Sequence, residues 1–175
     1  MINIYIKIAS LIMLLITLIS CKDVVNKVAV DEKTGQPMLV GLTERTAFEQ
    51  PEFLEWFNTE YFGYEPDEFI LSQIKELSDS VNIQIFMGTW CSDSRRELPR
   101  FLRILDEFEF EQTKLQIINV DRKKKSPTHE ERNKNIEFVP TFIINKNGTE
   151  VGRIVEFPII TLESDLLSLL LGIEP

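Results

Sequence analysis

Cysteine and histidine are scarce in this sequence. Two cysteines, Cys21 and Cys91, and a single histidine, His129, occur in 175 residues. One histidine rules out a His-rich metal site, and nothing else in the sequence asks for a metal or a cofactor. Basic residues are outnumbered, 19 Lys and Arg against 28 Asp and Glu, so the formal net charge is −9. That argues against a phosphate-backbone partner, because nucleic-acid binders need a basic surface. No hydrophobic run is long enough to span a bilayer as a helix, which takes ~20 residues. The one apolar run, Ile8 to Ile19, follows Lys7 and stops at Lys22-Asp23, the pattern of a secretory h-region. No internal repeat is visible. What is plentiful is core material: 43% hydrophobic residues, with twelve Phe and two Trp, enough for one globular domain plus extensions.

The tetrad Leu18-Ile19-Ser20-Cys21 resembles the bacterial lipobox: a branched apolar residue, a tolerant position, a small residue, then Cys. That resemblance implies a signal peptide over residues 1–20, cleavage before Cys21 and acylation of its sulfur. The chain is then lipid-anchored and extracytoplasmic in a bacterial envelope, and two or three acyl chains on one residue hold stably where one is marginal. An uncleaved anchor helix with an incidental Cys is the alternative. Lys22-Asp23 can act as a sorting signal, but the choice of inner or outer membrane stays open. With Cys21 committed to lipid, Cys91 is left over and no internal disulfide is possible. A leftover Cys in an exported protein is a reactive thiol or half of an intermolecular pair.

Residues 21–46 read as the lipidated Cys and a polar tether, with one short strand near Met38-Leu39-Val40. Residues 47–175 read as the domain. Phe53, Trp56, Phe57 and Tyr61 repeat at helical spacing from Pro51, a stripe for the core rather than a ligand box. A second helix runs from Asp67 to Leu77 with Phe69, Ile70, Ile74 and Leu77 on one face. Val81 to Met87 is a buried strand. A helix from Ser94 to Phe108 buries Leu98, Phe101, Leu102, Leu105 and Phe108, with Pro99 inside it. Lys114 to Val120 is the next strand. Thr141 to Asn145 and Val151 to Val155 form a hairpin through Asn147-Gly148. Thr161 caps a last helix with an acidic first turn.

The chemistry concentrates where the strand Ile83 to Met87 passes through Gly88-Thr89 into Trp90-Cys91-Ser92-Asp93-Ser94 and a helix. A Cys at that position sits at a helix N-terminus, where unpaired amide donors and the helix dipole favour negative charge. The thiolate is the nucleophilic form, so spacing alone marks Cys91 as reactive. Asp93 adds a negative charge beside it, and Arg95 and Arg96 can offset that charge. The net sign stays open.

From about Val81 to Leu171 the chain resembles the thioredoxin superfamily. Trp90-Cys91 stands where that family has Trp-Cys-x-x-Cys, Pro99 matches the proline of its active-site helix, and Val139-Pro140-Thr141 matches its cis-proline segment. Phe142 to Gly148 and Val151 to Val155 match its closing hairpin. The string Phe86 to Phe101, with Gly152 to Glu156 and Trp56-Phe57, is similar to a thioredoxin-like family common in Bacteroidetes that carries Trp-Cys-x-Asp-Ser, which extends the likeness to about residues 44–175. The resemblance implies an α/β fold: a three-layer α/β/α sandwich with a mixed central sheet, here with an extra N-terminal helical segment. It also implies roles. Cys91 attacks sulfur, Ser94 donates a hydrogen bond to it, Trp90 walls the site, and the backbone of Val139, with Pro140 cis and Thr141 following, receives an extended substrate.

The departures matter as much. The second motif Cys is Ser94, whose hydroxyl forms no S–S bond. The family's buried acid aligns with Ile85 and its partner lysine with Ile117. These differences lead to a monothiol oxidoreductase or isomerase that exchanges with protein or low-molecular-weight thiols and disulfides and needs an external thiol or reductase for recycling. A redox-inactive peptide-binding or holdase module on the same scaffold is the alternative, and an oxidant sensor using Arg95 is a third. The run Arg122-Lys123-Lys124-Lys125 and the nearby His129 read as a solvated loop.

Overall fold

The computed structural model describes residues 25–173. The segment expected to be a signal peptide, residues 1–20, and Cys21 lie outside the described residues. The chain runs through strands β1 (Lys27–Val30) and β2 (Pro37–Thr43), helices α1 (Pro51–Gly63) and α2 (Glu68–Leu77), strand β3 (Val81–Met87), helix α3 (Ser92–Glu107), strands β4 (Leu115–Asn119), β5 (Thr141–Lys146) and β6 (Thr149–Val155), and helix α4 (Leu162–Leu171). The strands form one sheet in the order β1-β2-β4-β3-β5-β6. Only β3 and β4 run parallel, and every other neighbour is antiparallel, so the sheet is mixed. The chain has the expected α/β fold with a mixed central sheet, and α1 and α2 form the additional N-terminal helical segment.

The pleat explains where the core sits. Alternate residues of β3, Val81, Ile83, Ile85 and Met87, enter the larger apolar cluster, while Phe86 faces the other way into a smaller one. Helix α3 presents Leu98, Phe101, Leu102 and Leu105 to the larger cluster at helical spacing, and the Phe101 ring lies 4.6 Å from that of Phe142 on β5. All four helices feed this cluster. On the second face, residues 121–140 form turns rather than a helix, and Ile136 and Val139 of that segment close over Phe86 and Ile118.

Local chemistry sets the element ends. The Asp67 carboxylate accepts the N–H groups of Phe69 and Ile70 and caps α2; the Thr161 hydroxyl accepts that of Ser164 and caps α4. Asn147 and Gly148 adopt φ of 53° and 78°, the paired left-handed geometry of a two-residue hairpin turn.

Three sequence expectations are corrected. The segment 21–46 is not simply a tether, because Lys27–Val30 and Pro37–Thr43 pair as a hairpin and β2 lies antiparallel to β4. Met38, Leu39 and Val40 are all buried; the polar turn at residues 31–36 between the two strands hides this hairpin in the sequence. On helix α2 the expected Ile70, Ile74 and Leu77 pack on the core, joined by Leu71, but Phe69 turns outward and is 75% exposed. Helix α3 starts at Ser92, two residues early, which makes Cys91 its N-cap residue.

Candidate active site

The site lies where the C-terminal end of β3 meets the N-terminus of α3. The Cys91 N–H donates to the Gly88 carbonyl at 2.9 Å, and the Arg95 N–H donates to the Cys91 carbonyl at 3.1 Å, closing the first helical turn. Cys91 is extended at φ −98° and ψ 129° and its side chain caps no amide, so the sulfur is left for other partners beside the first-turn N–H groups. Its thiol donates to the Val139 carbonyl at 3.2 Å. The Val139–Pro140 peptide bond is cis. Cys91 is half-buried and, among the described residues, free of any disulfide. Trp90, Cys91 and Ile136 pack together against the smaller apolar cluster, which contains Val139.

The neighbouring groups are placed by hydrogen bonds. Trp90 Nε1 donates to the Val120 carbonyl at 2.8 Å, which fixes the indole beside the end of β4. A Cβ at Gly88 would fall 2.5 Å from two indole atoms, so only glycine allows this approach. Thr141 Oγ1 donates to the Phe138 carbonyl at 2.7 Å and closes the turn around the cis bond. The Pro140 carbonyl accepts the Glu156 N–H at 2.7 Å, which joins that turn to the chain after β6. The Thr89 hydroxyl accepts the Leu39 N–H at 3.1 Å, tying β2 to the loop that carries the thiol.

Ser94 is fully buried and its hydroxyl accepts the Gly88 N–H at 3.2 Å. No Ser94–Cys91 hydrogen bond forms, which corrects the expected contact: the hydroxyl is turned down toward the β3 end instead of up to the sulfur. Asp93 is paired with Arg96 at 2.9 Å. Arg95 donates through Nε to the Thr89 carbonyl and lies 5.9 Å from the Trp56 ring, so its guanidinium is engaged away from the sulfur. Ile85 and Ile117 sit opposite one another in the parallel β3–β4 register, both buried, forming an apolar floor.

Two residues that the sequence reading passed over complete the surroundings. Arg122, taken there as part of a solvated run, lies 5.0 Å from the Trp90 ring centroid and binds the Asp31 carboxylate bidentately at 2.6 and 2.7 Å. Asp31, taken as tether, is buried. Arg122 holds the Asp31 carboxyl well below the usual carboxylate range, helped by the Thr34 hydroxyl, while burial opposes. The Arg122 guanidinium is held above its ordinary value first by these hydrogen bonds and, to a lesser degree, by the Cys91 thiolate charge, which puts it in electrostatic reach of the sulfur. No local pattern announces this pair, because its members are 91 residues apart. Among the described residues no cluster of three His, Cys, Asp or Glu side chains is placed to hold a metal ion, and no helix is long and apolar enough to cross a membrane.

No protein-family model matches the chain, and no curated protein matches it. Solved structures are similar in fold at low identity. A Pseudomonas aeruginosa protein of unknown function is 12% identical over 66% of this chain and 80% of its own, with a TM-score of 0.48. Oxidised thioredoxin O2 of Arabidopsis thaliana is 22% identical over 55% of this chain and 79% of its own, at a TM-score of 0.38. Oxidised thioredoxin of Plasmodium falciparum is 25% identical over 60% and 89%, at 0.34.

Proposed function

We propose that the protein is an extracytoplasmic, lipid-anchored monothiol thiol–disulfide oxidoreductase or isomerase acting through Cys91. The observation that carries this reading is the placement of a half-buried thiol, free of any disulfide among the described residues, at the N-cap of α3 and 3.2 Å from the Val139 carbonyl. Negative charge on the sulfur is favoured there by the first-turn N–H groups. In the reaction, the Cys91 thiolate attacks one sulfur of a substrate disulfide. A Cys91–substrate S–S bond forms, the substrate S–S bond breaks, and the departing sulfur leaves as a thiolate. Ser94 cannot complete the cycle. A second thiolate, from the same substrate in isomerisation or from an external thiol or reductase in reduction, attacks the mixed disulfide and restores Cys91. Partners are therefore protein or small thiols and disulfides, with the membrane reached through Cys21. The closer likeness to the Bacteroidetes proteins with Trp-Cys-x-Asp-Ser belongs to the same reading.

A second reading has its own support. Phe138, Phe157, Ile159 and Ile160 are all at least half exposed on the segments that flank the cis turn and follow β6. An apolar rim of this kind suits a peptide-binding or holdase module that needs no thiol chemistry. The two are separated by trapping disulfide-linked partners with the full chain and its Cys91→Ser variant. The oxidoreductase predicts reductant-sensitive adducts that vanish in the variant. Equal capture by both proteins, surviving reductant, refutes the thiol reading and leaves the holdase.

A further inference from the structure

The basic run Arg122-Lys123-Lys124-Lys125 is only partly used by the site so far described. Beyond Arg122 it forms a tight turn. The Asp121 N–H donates to the Lys125 carbonyl at 2.9 Å, and the Lys124 N–H donates to the Asp121 carbonyl at 2.8 Å. The Asp121 carboxylate accepts the N–H groups of Lys123 and Lys125, each at 2.8 Å. Lys124 holds a left-handed φ of 58°.

The turn borders a cavity of about 460 Å³ lined by Lys123, Lys124, Lys125 and Arg132, with Glu131 and Glu137. Four cations thus meet two carboxylates in a chain whose net charge is −9. One of the carboxylates is already committed. Glu131 is buried and accepts the Ser126 N–H at 3.2 Å and the Ser126 hydroxyl at 2.9 Å, with Lys125 Nζ at 3.5 Å. The same cavity is lined by Ile136, which packs with Trp90 and Cys91 against one apolar cluster. Ile136 stands three residues before Val139, whose carbonyl meets the Cys91 thiol, so the cavity wall lies within about 15 Å of the sulfur, and Arg122 stands at the other end of the turn over Trp90.

We propose that this cavity is the subsite for the carboxylate arm of a low-molecular-weight disulfide, or of its thiol, whose sulfur is presented to Cys91. The assignment rests on the thiol reading of Cys91 and adds a substrate class to it. Three arguments select a small anion. The volume lies within the ~300–1,000 Å³ of small-molecule sites. Ammonium and guanidinium groups are strong hydrogen-bond donors to carboxylates. A polyanion or an anionic bilayer would meet the acidic remainder of the surface, whereas a small ligand senses charge only within the ~8–10 Å Debye length. The exchange balances without an outside oxidant: an S–S bond forms between Cys91 and the ligand, the ligand's own S–S bond breaks, and its other half leaves as a thiolate carrying the electron pair.

The test uses the full chain and two disulfide probes, 5,5′-dithiobis(2-nitrobenzoate), with a carboxylate on each ring, and neutral 4,4′-dithiodipyridine. Rates are compared for wild type and for the variant Lys123→Gln/Lys124→Gln/Arg132→Gln, whose changes lie in the turn and cavity wall, apart from the thiol. The variant should lower the ratio of anionic to neutral rates by about tenfold or more, within the range of electrostatic steering, and leave the neutral rate within about twofold. Glutarate should slow the anionic probe in wild type but not in the variant. An unchanged ratio, or an equal fall in both rates, overturns the subsite and leaves the thiol reading standing. Failure of wild type to react with either probe overturns the thiol reading and this inference with it. A larger effect of the variant on a Glu-flanked cysteine-peptide disulfide than on the small probe overturns the small-ligand assignment in favour of an acidic protein client.

Discussion

Gly88→Ala is the substitution that most directly tests how the wall of the site is held. The added Cβ would lie 2.5 Å from both Cε2 and Nε1 of Trp90, about 1 Å inside ordinary carbon contact. The backbone cannot yield easily, because the Gly88 N–H donates to Ser94 and the Gly88 carbonyl accepts from Cys91. The indole must therefore swing away. That breaks the 2.8 Å hydrogen bond to Val120, worth about 1 kcal/mol net. It also ends the stacking of Arg122 at 5.0 Å, worth about 0.5–1 kcal/mol at a site of this exposure. With the packing lost from the smaller cluster the total comes to about 2 kcal/mol, a fall in Tm of about 4–8 °C for a domain of this size. Urea denaturation of a double-mutant cycle isolates the cause. In a Trp90→Ala background the new methyl meets no indole, so Gly88→Ala should cost less than about 0.5 kcal/mol there. Equal costs in the two backgrounds would refute the claim that glycine is required by the indole.

Two further outcomes follow from the geometry. Phe101→Ala removes a fully buried ring packed 4.6 Å from Phe142 and should cost about 3–5 kcal/mol by urea denaturation; a loss under about 1 kcal/mol would mean that the α3–sheet interface is not packed as described. Acid sensitivity should centre on Asp31 and Glu131. Arg122 depresses the Asp31 carboxyl. Burial alone pushes the Glu131 carboxyl up, but backbone N–H groups, Ser126 and Lys125 outweigh it and hold the group at about 2. For depressed carboxyls the stabilisation is fully present above the unfolded value, about pH 4, and is lost as pH falls toward the folded one. The stability gap between wild type and Asp31→Asn should therefore be widest at neutral pH and close below about pH 4; a gap that widens on acidification contradicts the assignment.

The parts of the fold carried by local periodicity were legible in the sequence. The α3 stripe, the Asn147-Gly148 turn and the Thr161 cap depend on residues within a few positions of one another. The placement of Cys91 at a strand-to-helix junction was legible for the same reason. What local pattern could not show was long-range pairing. The hairpin before residue 44 is short and polar at its turn, and only its register against β4 reveals it as part of the sheet. Ser94 was expected to face the sulfur because it stands at the second motif position of the family that the chain resembles. Its actual partner, Gly88 N–H, is set by the β3–α3 turn. The Arg122–Asp31 pair joins the loop after β4 to the hairpin turn, and no motif spans that distance.

The β1–β2 hairpin has a consequence for where the domain can be cut. Strand β2 covers one side of β4 through Gly41–Asn119, Leu42–Ile118 and Thr43–Ile117. A chain trimmed at residue 47 would lose both strands and leave Leu115–Asn119 as a bare edge, its unpaired N–H and C=O groups flanked by Ile117 and Ile118. Such an edge is a template for pairing with another copy. The same cut would remove Asp31 and Leu39, the partners of Arg122 and Thr89. The smallest piece that keeps both the thiol's surroundings and a protected sheet therefore begins before Lys27, and the polar segment ahead of the helices acts as a selvedge to the sheet as well as a lead.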